Sequence, residues 1–285
     1  MNSKRLGIIY IIMAAFFFAL MTFFIRKAGA LPTMQKAFFR NVVALLVATI
    51  MLLKSEEGFK PQKGSLTGLF MRSVGGTIGL ICNFYAVDHM NISDANMLNK
   101  LSPFFAIIMS TFILREMAGR FEWAMVVMAF VGALFVVKPS LHMDVVPALV
   151  GAVGGFCAGT AYTFVRKLGK QGERGPIIVM FFSAFSCLVT LPFFIAGYQP
   201  MTKGQFIYLM LTGLSAAMGQ LSITAAYTKA PAKEISVYDY SQVLFAAALG
   251  FVFLNQVPDR YSVAGYVIII SAAVLKWRHA GNSRK

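Results

Sequence analysis

Two cations stand inside stretches that are otherwise apolar. Arg40 lies in Lys36-Ala-Phe-Phe-Arg40-Asn41-Val-Val-Ala-Leu-Leu-Val, and Lys100 lies in Asn96-Met-Leu-Asn99-Lys100-Leu-Ser102-Pro103-Phe-Phe. A cation at the middle of a membrane helix costs about 2.5–3.5 kcal/mol on insertion scales, so its default use is to hold something polar inside the bilayer. Counted at about 1.5 Å per residue from helix starts near Thr33 and Ser93, both charges lie roughly 10 Å in from one side. Two cations at one depth can face one cavity and favour an anion or the carboxylate of a zwitterion. Asn96, Asn99 and Ser102 flank Lys100 and can add hydrogen bonds, and Pro103 is a place for a helix to break and free carbonyls. A structural role is the alternative for each: Arg40 can bridge carbonyls or snorkel outward.

The acid comes later, in Glu234-Ile-Ser-Val-Tyr238-Asp239-Tyr240-Ser241-Gln242. A carboxylate at that depth can bind a substrate amine, carry a coupling proton, or pair with Lys100 and lock helix packing. The candidate substrate-binding set is therefore Arg40, Lys100, Asn99, Tyr85, Tyr238, Asp239 and Tyr240, with Asp239 also the candidate for proton coupling. Arg72 opens its segment and is expected to snorkel, while Glu234 and Asp94, near segment ends, are expected to be solvated. Tyr162, Gln220 and Thr224 are further polar candidates, and interhelical hydrogen bonds explain each of them equally well. Gly151, Gly155 and Gly159 form one small-residue stripe and Gly75 and Gly79 a shorter one, both expected at close helix contacts.

The elements that must position these groups are membrane helices. Of 285 residues 58% are hydrophobic and only 13% charged, against about a quarter charged in soluble domains. About 20 apolar residues cross a bilayer, and the chain offers ten such spans, at 6–25, 33–53, 66–87, 93–114, 121–137, 146–165, 176–197, 204–228, 233–254 and 261–277. The fold class is thus an all-α polytopic membrane protein. The net charge of +15 does not call for nucleic acid, because the basic residues sit in short loops and at the termini. Lys4, Arg5, Lys54, Lys60, Lys63, Arg115, Arg120, Arg166, Lys167, Lys170, Arg174, Lys229, Lys233, Lys276, Arg278, Arg284 and Lys285 fall on the side of the termini. Arg26, Lys27, Lys36, Lys138, Lys203 and Arg260 fall on the other. That excess places both termini in the cytoplasm. The first apolar run exceeds a signal peptide's core and reads as a span.

Cys82, Cys157 and Cys187 lie in apolar runs and read as small buried residues, and His89, His142 and His279 as loop or tail residues. No metal-ligand spacing and no cofactor motif is expected.

The chain also repeats itself. Phe24-Ile25-Arg26-Lys27 matches Phe164-Val165-Arg166-Lys167 at an offset of 140, and Arg120 matches Arg260 at the same offset. Glu116 falls opposite Gln256, and Phe38-Phe39-Arg40 aligns with Phe181-Phe182-Ser183 after a small shift. Five spans per copy is an odd number, so the second copy enters from the opposite side, as in the inverted repeats of secondary transporters. The two five-helix repeats are 6–138 and 146–278.

On Arg40, Leu101-Ser-Pro103-Phe, Leu114-Arg-Glu116, Gly132 and the small residues of the last span, the chain resembles EamA-type transporters of the drug/metabolite transporter superfamily. That resemblance implies a ten-helix inverted-repeat fold, alternating access, and export of amino acids or other metabolites. The second half departs from the pattern, with Val243 in place of a proline and Asn255-Gln256 in place of Leu-Gly-Glu.

The function expected is secondary transport of a small polar metabolite, an amino acid or organic anion, by alternating access. The partners expected are that small molecule, the lipid bilayer of a bacterial inner membrane and a coupling proton. Monomer and homodimer both remain open. A lipid flippase or a membrane-embedded enzyme is the alternative, but no G-x-S-x-G, H-E-x-x-H or phosphate-binding loop is present.

Overall fold

A computed structural model describes residues 3–89, 92–138, 144–254 and 257–282. Every regular element among them is helical. In chain order these are α1 (Ser3–Lys27), α2 (Thr33–Leu53), α3 (Leu66–His89), α4 (Ile92–Asn99), α5 (Ser102–Leu114) and α6 (Arg120–Val137). Then follow α7 (Val145–Lys170), α8 (Gly175–Ala196), α9 (Lys203–Lys229), α10 (Ala232–Asp239), α11 (Ser241–Leu254) and α12 (Arg260–Asn282). Of the residues named above, His142 and Asn255-Gln256 lie outside the description, as does the Asp94 side chain.

Two expected spans are each split. The stretch 93–114 is α4 plus α5, interrupted at Lys100 and Leu101, and 233–254 is α10 plus α11, interrupted at Tyr240. Eight stretches of the described residues are long and apolar enough to cross a membrane, Asn96–Leu114 and Ala232–Leu254 among them. The sequence count of ten exceeds this by α3 and α12. Both are long, at 24 and 23 residues, but Arg72 and Asn83 dilute the first and Arg260, Lys276 and Arg278 the second.

The helices pack in exchanged pairs. α1 lies on α9 as α7 lies on α3; α2 lies on α9 as α8 lies on α3; α5 lies on α7 as α11 lies on α1. α2 meets α8 and α6 meets α12. The α6–α12 contact is held by glycine on both sides. A Cβ on Gly132 would stand 2.9 Å from the Gly265 carbonyl oxygen, and one on Gly265 would stand 2.5 Å from that of Gly132. Such close approach of backbones is what small residues permit between membrane helices.

Candidate functional site

Pro103 has no N–H, so the carbonyl of Asn99 loses its usual helical donor and α4 parts from α5. The Lys100 amide still donates to the Asn96 and Met97 carbonyls at 3.1 and 3.0 Å, and Leu101 to Leu98 at 3.1 Å. The second break forms without proline. Val243 donates to the Tyr240 carbonyl three residues back at 3.0 Å, and the Ser241 hydroxyl caps the Tyr238 carbonyl at 2.7 Å. The absence of a proline at Val243 therefore leaves the backbone device intact in the second half.

The glycine stripe of α7 seats the first break. A Cβ on Gly155 would lie 2.7 Å from the Leu98 carbonyl oxygen, and one on Gly159 would lie 2.6 Å from that of Ser102. Only a residue without a side chain lets α7 come this near. Gly75 and Gly79 face the opposite side of α7, against the Cys157 and Gly154 carbonyls. α10 and α11 rest on α1 in the equivalent way.

At the two breaks the halves touch through polar groups. The Lys100 ammonium lies 3.2 Å from Asp239 Oδ2 and donates to Gln242 Oε1 at 2.6 Å. The Tyr240 hydroxyl donates to the Lys100 carbonyl at 2.9 Å. The Lys100 and Asp239 side chains are only 14% and 11% exposed. Desolvation opposes such a pair, and the added hydrogen bond that Gln242 accepts from Lys100 offsets part of that cost. Chemically, this is an ammonium with two acceptors, one charged and one neutral. An arriving carboxylate can take the place of Asp239 on the ammonium while Gln242 stays.

The other expected residues distribute around this link. Tyr238 is buried beside Asp239, and among the described residues its hydroxyl has no hydrogen-bond partner. Asn99 is half-buried at the end of α4. Tyr85 is exposed on α3, its ring stacked at 4.0 Å on His89. Arg40 is buried on α2 with partners of its own. Its Nε points at the Met21 sulfur at 3.3 Å and its Nη1 donates to Asn41 Oδ1 at 3.3 Å. Lys100, Asp239 and Tyr240 thus meet directly, whereas Arg40 and Lys100 each bond to different groups.

Four expectations need correction. Arg72 does not snorkel: it is 2% exposed, donates to Gln220 Oε1 at 3.2 Å, and lies 4.1 Å above the Phe182 ring. Gly76, one turn on, makes the room, since a Cβ there would stand 2.1 Å from Arg72 Nη1. Glu234 is not solvated but binds Lys4 at 2.8 Å and Lys276 at 3.4 Å. Lys276 also binds Glu122 at 2.9 Å, so one ionic chain ties α1, α10, α12 and α6 together at a single end. His89 and His279 are helical, the latter 4.0 Å from the Phe121 ring. The three cysteines are free and half-buried rather than fully enclosed, because each lies on a helix face only partly covered by neighbours.

Further ionic contacts finish the two ends. Glu116 receives Arg166 at 3.2 Å and Lys170 at 2.7 Å. At the far end of the α6–α12 pair, Lys138 binds Asp259. The Lys138 hydrogen bond, helped by the Ser262 backbone N–H, pushes the Asp259 carboxyl down to about 2. Gln242, Arg72 and the Arg72–Gln220 contact were not among the expected site residues. Gln242 had one available signal, its place one turn after Tyr238 on the break that carries Asp239.

A bundle of long apolar helices, two of them broken about one-third along where opposite charges meet, has the build of a membrane transporter. The comparisons agree. The profile of the EamA-like transporter family matches residues 5–138 and again 146–277. The chain belongs to that family and is an integral membrane protein with a transporter's role. It is 31% identical over 277 residues to the pseudopaline exporter CntI of Pseudomonas aeruginosa strain UCBPP-PA14, covering 96% of each chain. It is 24% identical to solute carrier family 35 member G1 of Homo sapiens, over 95% of this chain and 80% of that one. A crystal structure 12% identical in sequence superposes with a TM-score of 0.81 over 98% of this chain and 99% of the other, which shows a shared fold.

Proposed function

We propose that this protein is a secondary exporter of small polar metabolites carrying a carboxylate, amino acids or organic anions. It works by alternating access of two inverted five-helix halves, 6–138 and 146–278. Counting α3 and α12 as spans gives ten, with both termini in the cytoplasm of a bacterial cell whose inner membrane holds the protein. The exchanged packing of α1–α6 against α7–α12 supports the two-fold relation. One observation carries the site: Lys100 from the first half binds Asp239 and Gln242 from the second, at the two points where helices break. The cargo carboxylate takes the Lys100 ammonium in competition with Asp239, with Arg40 adding positive potential. Asp239 then binds the cargo amine or a coupling proton. Tyr238, Tyr240, Asn99 and Tyr85 complete the path, and the unpartnered Tyr238 hydroxyl is a free donor for the cargo.

The name of the Pseudomonas relative supports export and puts pseudopaline among the compounds to try. The test is a thermal-shift screen of amino acids, organic anions and pseudopaline on purified protein, followed by transport of any hit in proteoliposomes. A ligand that binds only the folded state raises its melting temperature. Lys100→Ala and Asp239→Ala should each abolish transport of the hit. Transport unchanged in both variants removes the assignment.

A further inference from the structure

Among the described residues of the first half, Arg40, Arg72 and Lys100 enter the interior, and of these three Lys100 alone meets an acid. Arg40 and Arg72 are 6% and 2% exposed, and among the described residues neither guanidinium pairs with a carboxylate. Their partners are neutral: a thioether and an amide for Arg40, an amide and an aromatic ring for Arg72. Buried charge of this kind is ordinarily neutralised or paired. The two groups are anchored on helices that pack together: Met21 of α1 lies one turn from Phe18, whose ring would stand 2.7 Å from a Cβ on Gly219, and Gly219 precedes Gln220 on α9. Like charges on packed helices repel, so the described residues leave this arrangement uncompensated.

Donors are also left over. Arg72 Nε, Asn41 Nδ2 and Ser183 Oγ are buried and lack hydrogen-bond partners. They come from α3, α2 and α8, which pack on one another, and Ser183 follows directly on Phe182 beneath Arg72. Two cations with surplus N–H and O–H donors and no acid are what an oxyanion needs, and an arginine fork suits a carboxylate best.

We propose that Arg40 and Arg72, with Asn41 and Ser183, form a second anion subsite, and that the cargo carries at least two carboxylates. One goes to Lys100 and the other to the arginine pair. This rests on the exporter reading above and adds the cargo class to it.

The test compares dicarboxylates with their monoamides on purified full-length protein: glutarate, adipate and glutamate against glutaramate, adipamate and glutamine. The readout is saturable thermal stabilisation at millimolar ligand. The wild type should be stabilised by at least one diacid, with the matching monoamide about tenfold weaker or worse, the counterpart of one lost charge-assisted contact. Arg72→Gln should abolish the preference for the diacid. Should that variant fail to fold, Arg72→Lys keeps the charge without the fork and should reduce the preference. Equal response to diacid and monoamide, no response to any diacid, or an undiminished preference in the arginine variants overturns the subsite. Monocarboxylate transport that still depends on Lys100 would leave the exporter reading standing and remove only the second subsite.

Discussion

The two helix breaks make the most instructive contrast in this molecule. Both interrupt a span after about one-third of its length, and both rest on the first helix of the opposite half. Their chemistry is opposite. The first contributes a lysine, the second an aspartate, a glutamine and a tyrosine hydroxyl. At the offset of 140, Lys100 corresponds to Tyr240 itself, so the hydrogen bond from Tyr240 to the Lys100 carbonyl joins equivalent points of the two copies. Their supports differ as well. α7 offers Gly155 and Gly159 to the first break, where α1 has Ala15 and Ala19 at the equivalent places, both buried. The two breaks thus share a backbone device while their side chains specialise, a cation at the first and a carboxylate, an amide and a hydroxyl donor at the second.

The contrast can be broken at several points. Removing either charge should have the largest effect: Lys100→Ala or Asp239→Ala leaves a mostly buried partner unpaired, a loss of about 3–5 kcal/mol by analogy with other buried pairs. Thermal melts and proteoliposome flux read both consequences. The supports come next. Gly159→Ala forces a methyl against the Ser102 carbonyl and should cost about 1–3 kcal/mol as overpacking does. The mirror change Ala19→Gly should cost less, about 1 kcal/mol, from added backbone freedom in a helix. Equal costs would mean that the two breaks are seated alike.

Smaller effects separate the breaks themselves. Tyr240→Phe removes one hydrogen bond between them, worth about 1 kcal/mol, and should slow transport without abolishing it. Pro103→Ala restores a donor for the Asn99 carbonyl. It should protect the Lys100 region from hydrogen exchange and lower flux. If exchange there is unchanged, packing on α7 rather than the proline maintains the break.

The smallest effect belongs to Asp259. Lys138 lowers its folded carboxyl to about 2. The unfolded value is about 3.9, so the contribution is fully present above that and is lost as pH falls through the folded value. The melting difference between wild type and Asp259→Asn should be slight and flat from about pH 5 to about pH 8, shrinking only in stronger acid.

Much of this architecture can be read directly from residues. Apolar runs near 20 residues located the helices because membrane length and backbone satisfaction leave few other options. Lys100 and Asp239 stood out because charge is rare in such runs. Pro103 announced one break. The other break had no comparable sign, since its turn is closed by Val243 and Ser241, residues that also sit comfortably in unbroken helix. Arg72 misled because a cation near a segment end usually reaches the interface. Here Gly76 and Phe182 draw it inward, and that depends on how α8 packs, which no local pattern encodes. α3 and α12 fell on the margin because of their charged and polar residues, of which Arg72 and Lys276 are buried in the bundle.

The measurement that bears most directly on the central claim is substrate flux through the charge-exchanged double variant Lys100→Asp with Asp239→Lys, beside its melting temperature. If the pair is the cargo's binding point, the exchange should recover much of the stability lost in either single variant. Flux should stay absent, because the ammonium then projects from the wrong half. Full recovery of flux together with stability would show that the pair only locks the helices and that the cargo is held elsewhere.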